Sequence, residues 1–170
     1  MKQAIRRGVF ETNSSSTHTI CINKDFKWPL RENSIKFGTG EFGWEFEEYY
    51  DICSKAEYLH EAIISASNDE KEYEELKAEF TKLLNDIGIE QVNWAEIEWD
   101  EYGYPDWDSH GYIDHGNELY EMIQAMLKDP NLFYGFLFND NSCVCTGNDN
   151  SDEIVNVPQG NYNYIYEKGN

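Results

Sequence analysis

Residues 54–67 read SKAEYLHEAIISAS, and residues 69–86 read DEKEYEELKAEFTKLLND, with Asn68 alone between them. In the first stretch Ala56, Leu59, Ala62 and Ile63 recur at helical spacing and form one apolar stripe. In the second, Tyr73, Leu76, Phe80, Leu83 and Leu84 do the same. Ser54 and Glu57 have the form of a capping box, and Gly88 is placed to end the second helix. Two helices with so short a polar link predict an antiparallel helical pair.

The segments on either side of this pair have a different period. Thr17–Asn23 alternates, with His18, Ile20 and Ile22 on one side, and predicts a strand. Ser34–Phe37 predicts another, closed by Gly38-Thr39-Gly40. Gln3–Phe10 is a short strand or an irregular lead-in, and Glu11–Ser16 is a dense turn signal. Residues 41–51 are acidic and aromatic and match neither period. Downstream, Val92–Trp99 alternates as a strand, and Asn117–Lys128 is a third helix ending before Asp129-Pro130. Leu132–Asn139 and Ser142–Gly147 read as a hairpin around Asp140-Asn141, with Ile154–Val157 and Tyr162–Tyr166 as closing strands. The expected fold is α+β: a mostly antiparallel sheet with two or three packed helices, in a single domain over residues 1–170.

A chain of 170 residues suits one domain and buries a sizeable core. Twelve Tyr, nine Phe and five Trp supply much of its apolar surface, a composition shared by protein cores and by interface hot spots. No apolar h-region follows Met1–Gly8, and the most apolar run, Phe133–Phe138, is far short of the ~20 residues of a membrane span. Cys21, Cys53, Cys143 and Cys145 are too sparse for a disulfide framework. The expectation is a cytoplasmic protein with free thiols and no membrane association.

Charge is unevenly spread. The net charge is −20; residues 1–36 carry seven Lys or Arg against three acids, and residues 37–170 carry six against thirty. Between Lys82 and Lys128 there are eleven acids and no Lys or Arg. Such a body repels nucleic acid and draws in basic proteins with a raised association rate.

Two segments hold candidate chemistry. The first, RRGVFETNSSSTH over residues 6–18, gathers Arg6 and Arg7 for a phosphate, Asn13 beside them, and Glu11, Ser14, Ser15, Ser16 and His18 for proton transfer and anion contacts. The same residues also make an ordinary turn. The second, Asp106–Gly116, contains Asp106, Trp107, Asp108, His110, Asp114 and His115. Its spacing fits no zinc or calcium motif, so no metal and no cofactor are expected. His115 with His18 would make an acid–base pair for metal-independent phosphodiester cleavage, on condition that the fold brings them together.

The string over residues 6–18 resembles the amino-terminal signature of a family of proteins from phages and mobile elements of low-GC bacteria, closely over residues 6–20 and faintly beyond. The resemblance implies a mobile-element setting and carries no activity to any residue. Small acidic proteins from such sources include inhibitors of host defence, anti-CRISPR proteins among them.

Two functions follow as expectations. In the first, an acidic aromatic face binds a basic, nucleic-acid-handling host protein, such as a CRISPR effector with its guide RNA. That face includes Glu45, Glu47, Glu48, Asp100, Glu101, Asp106, Trp107 and Asp108. Carboxylates there replace phosphates and rings replace stacked bases. In the alternative, the Arg/Ser/His segment is the centre of a small metal-independent RNase or phosphotransfer enzyme acting on guide RNA.

Overall fold

The segment around residue 60 folds as a helix because a carboxylate and an apolar run coincide. In the computed structural model, which describes residues 16–26, 33–43, 45–114, 119–148 and 158–168, helix α1 spans Ile52–Ala66. Its cap is Asp51, whose side chain accepts from Ser54 N at 2.9 Å. The start therefore lies earlier than a capping box of Ser54 and Glu57 would place it. Helix α2 spans Glu70–Asp86, capped by Asp69 accepting from Glu72 N at 2.8 Å. Gly88 follows it with φ 87°, a left-handed conformation that glycine adopts without cost. The stripes meet as expected: Ala56, Leu59, Ala62 and Ile63 are buried with Tyr73, Leu76, Phe80 and Leu84, and Leu83 is half-buried.

Helix α1 is buried on more than its apolar stripe. Lys55, Tyr58, His60 and Glu61 have almost no surface either, so the helix is a central strut. Around it stands a four-stranded antiparallel sheet in the order β4-β7-β1-β8, built from β4 (Glu47–Tyr49), β7 (Cys143–Asn148), β1 (Ser16–Ile22) and β8 (Tyr164–Lys168). Two small parallel pairs flank it. Strand β2 (Ser34–Phe37) pairs with β5 (Gln91–Trp94), and β3 (Glu41–Phe42) pairs with β6 (Tyr112–Ile113). At the β2–β5 register, Phe37 stacks on Trp94 with centroids 3.9 Å apart.

The strand expected over Val92–Trp99 stops at Trp94. Its partner β2 ends at Phe37, whose carbonyl takes a last bond from Ala95 N at 2.8 Å, and beyond it the chain has no ladder to continue. Strand β8 begins two residues later than expected. Residues 3–10 and 154–157 lie outside the described residues.

One expectation is overturned. Leu132–Asn139 is no hairpin strand: Pro130–Phe138 forms helix α4, directly after helix α3 (Tyr120–Lys128). Asp129 ends α3 and caps α4, accepting from Asn131 N at 3.2 Å, and Pro130 occupies the first turn, where its missing N–H costs nothing. Leu132, Phe133, Tyr134, Phe136 and Leu137 are all buried, so the helix shows no polar face.

Strand β1 is buried on both faces. Ile20 and Ile22 join the main core, while Cys21 faces the opposite way into a small cluster with Cys143, Cys145 and Tyr162. All four cysteines are free thiols, and Cys53 is exposed. The Cys143 and Cys145 sulfurs are 3.8 Å apart. Donation from Cys145 and Cys21 holds the Cys143 thiol well below its ordinary range, and Cys21 and Cys145 are pushed correspondingly up. Among the described residues no helix is long and apolar enough to cross a membrane.

Candidate functional site

The chain between β5 and β6 is a loop that its own side chains fix in place. Six carboxylates and no Lys or Arg occur over residues 95–111. Glu98 O accepts from Asp106 N at 2.7 Å, Trp99 bridges Pro105, and Asp100 N donates to Tyr104 O at 2.8 Å. The Asp100 carboxylate accepts from Tyr102 N at 2.8 Å and Tyr104 N at 2.9 Å, while Asp106 accepts from Asp108 N at 2.9 Å. These are Asx turns, in which a short acidic side chain replaces a backbone carbonyl. Trp99 anchors the loop against Tyr73 of α2, at 5.5 Å between centroids.

The result is a fixed display of rings. Tyr102 is 77% exposed, Tyr104 66% and Trp107 80%, with Asp100, Glu101, Asp106 and Asp108 exposed between them. Glu45, Glu47 and Glu48 are also exposed, on and just before edge strand β4, beside Phe46 and Tyr50. Glu47 accepts from Tyr49 Oη at 2.5 Å, and Glu48 from Tyr50 Oη at 3.0 Å. Tyr112 connects the two acidic stretches. A Cβ added at Gly43 would lie 3.0 Å from Glu45 Oε2 and 3.2 Å from Tyr112 Oη, so these two side chains are neighbours. Desolvation raises the Tyr112 phenol above its usual range, and the negative charges of Glu41, Glu45 and Asp114 raise it further.

Beneath the loop lies a site the sequence did not reveal. The Glu61 side chain, with no exposed surface, accepts at Oε1 from Gly40 N (3.1 Å) and Gly111 N (2.9 Å), and at Oε2 from His110 Nδ1 (3.1 Å). Two strands are thus tied to the central helix through one carboxylate. The crossing needs glycine, since a Cβ at Gly111 would sit 1.9 Å from Gly40 O. Above the dyad is an open pocket of about 230 Å³ lined by Thr39, Gly40, Glu41, Asp108, Ser109, His110 and Gly111. Helical spacing was the available signal: position 60 is four after Ala56 and three before Ile63, and His60-Glu61 therefore interrupts an apolar stripe with polar groups that must be satisfied.

His60 is satisfied internally: Nδ1–H donates to Gly38 O at 2.8 Å, and Nε2 accepts from Tyr73 Oη at 2.8 Å. Burial lowers its pKa.

Of the residues expected to do chemistry, His18 and Ser16 lie among the described residues. His18 has no exposed surface; Nε2–H donates to Gly43 O at 3.1 Å, and Nδ1 accepts from Tyr58 Oη at 3.0 Å. That gives it a place in the core, with neither nitrogen turned to a substrate. Ser16 is buried, and its N donates to Asp114 Oδ2 at 3.3 Å. Arg6, Arg7, Glu11, Asn13, Ser14, Ser15 and His115 lie outside the described residues. Among the described residues, no group of three or more His, Cys, Asp or Glu side chains is placed to hold a metal ion. Comparison with protein families, with curated proteins and with solved structures found no match to this chain.

Proposed function

We propose that this chain is a binding inhibitor whose acidic aromatic face fills a basic, nucleic-acid-binding groove on a host protein. The observation that carries this reading is the loop of residues 98–109, with Tyr102, Tyr104 and Trp107 standing in solvent between carboxylates on a backbone its own hydrogen bonds hold. Large exposed rings are costly to leave in water, and near-total desolvation on binding is what makes such residues hot spots. Carboxylates spaced among rings offer a basic groove the two contacts that single-stranded nucleic acid offers, charge and stacking. The electrostatic field of a chain of net charge −20 steers the encounter. The setting that fits is the cytoplasm of a bacterial cell carrying a phage or mobile element, with a CRISPR effector and its guide RNA as the proposed partner class.

Association kinetics with such an effector test this. Neutralising Asp100, Glu101, Asp106 and Asp108 together should slow association more than it speeds dissociation, and added salt should slow it likewise. Trp107→Ala should act mainly on dissociation. An affinity independent of salt, or a quadruple variant that changes only the dissociation rate, would refute the reading.

A further inference from the structure

We infer that the pocket over the Glu61–His110 dyad receives a single arginine side chain of the partner. This rests on the acidic-face reading above and names the contact at its centre. The His110 side chain is 7% exposed, and its Nε2 is buried without a hydrogen-bond partner among the described residues. Leaving such an atom unmatched is unfavourable, so it marks a place where a ligand atom is missing.

The hydrogen-bond pattern specifies what that atom is. Nδ1 faces Glu61 Oε2, so in the neutral ring the hydrogen on Nδ1 points at Oε2 and Nε2 is the open acceptor, the form that an incoming cation selects. That acceptor needs a donor. The two ring nitrogens diverge, so holding Nδ1 at the core-facing carboxylate turns Nε2 away from the core. The pocket walls above add the carboxylates of Glu41 and Asp108, which favour a cation.

Trp107 narrows the choice to a flat cation. Its ring lies over the imidazole at 6.0 Å between centroids and 27° between planes, while 80% of its surface faces solvent. With most of its surface in solvent, the ring has room to swing aside for a donor to reach Nε2 while keeping a face on the incoming group. A guanidinium stacks on an aromatic plane and carries five donors in a fixed fork, enough for Nε2 and two carboxylates at once. An ammonium satisfies fewer of them.

The test is a titration of protein carrying ¹⁵N-labelled histidine and ¹³C-labelled tyrosine with acetyl-arginine amide, with acetyl-lysine amide in parallel at equal ionic strength. The His110 Nε2 resonance should move and saturate with a dissociation constant of about 1 mM for arginine and several-fold weaker for lysine. Glu41→Gln and Asp108→Asn, both at the pocket mouth, should each weaken binding about threefold or more. Glu61→Gln presents an amide N–H to Nδ1, which moves the ring hydrogen to Nε2, and should abolish the arginine response while the Nε2 resonance reports the changed tautomer. A His110 signal that stays fixed while Tyr102 and Tyr104 resonances move would overturn this inference and leave the acidic-face reading standing. Equal responses to arginine and lysine would overturn the guanidinium assignment. A chain whose resonances are all unmoved at about 10 mM arginine would overturn the inference too, and the kinetics with the effector would then judge the face separately.

Discussion

Replacing Lys55 by methionine tests how the centre of the fold tolerates a charge. Lys55 is 1% exposed, and its ammonium donates to Asn139 O at 2.9 Å and Ser142 O at 3.2 Å. Desolvation brings its pKa down from 10.5 to about 8, against the opposing attraction of Asp140, Cys143 and Asp51. The unfolded chain therefore binds the Lys55 proton more tightly than the native one, and stability from this group rises as pH rises from about 8 towards 10.5. A difference of about 2.5 pKa units amounts to a penalty of about 3 kcal/mol at pH 7, falling to about 1 kcal/mol at pH 10. The K55M substitution would remove that penalty and also remove two charge-assisted hydrogen bonds, each worth about 1.5–3 kcal/mol, so the two proteins should be of similar stability at pH 7. The pH dependence of their difference is the signal. Urea unfolding in reducing buffer at pH 7, 8, 9 and 10 should show the wild type gaining about 2 kcal/mol on K55M across that range. Comparing the two proteins at each pH cancels the groups that titrate alike in both, and making the comparison in a Cys143→Ser background removes the one thiol that Lys55 helps to hold down. A difference constant from pH 7 to pH 10 would show that Lys55 keeps an ordinary pKa and that burial costs it nothing.

His18→Ala should lower stability by about 2–5 kcal/mol, because it opens a cavity and strips buried partners from Tyr58 and Gly43; thermal and urea unfolding read this directly, and an unchanged stability would mean that His18 is not a core residue. Gly111→Ala should cost about 3 kcal/mol or more, since the new Cβ at 1.9 Å from Gly40 O must push β3 and β6 apart. The same unfolding measurement checks it, and a neutral variant would show that the crossing opens freely.

Local chemistry makes most of the fold legible, and three-dimensional contact makes the rest opaque. The α1–α2 pair is readable because each helix has an apolar stripe and a short polar link between them. The start of α1 is ambiguous in sequence because Asp51 and Ser54 are both competent caps and only packing chooses. Helix α4 reads as a strand because a short apolar run buried all round has no period to betray it. Its true signal is Asp129-Pro130, a cap followed by a first-turn proline, which serves equally well as the end of α3. The acidic display is visible as composition, since exposure follows from charge density and from the turn-forming Asp100 and Asp106. The dyad is not: Glu61 and His110 are 49 positions apart and meet only once β3 and β6 pair.

The loop of residues 98–109 is closed by bonds between its own two arms and is held to the body chiefly through Trp99 and the Gly111 crossing. None of Asp100, Glu101, Tyr102, Tyr104, Asp106, Trp107 or Asp108 is buried, so the tip adds little to folding stability. Surface display and foldability are thus separable here. Exchanging Glu101, Tyr102, Tyr104, Trp107 and Asp108 while keeping Trp99, Asp100, Gly103, Pro105, Asp106 and Ser109 should change the chemistry the loop displays and leave the scaffold beneath it unaltered.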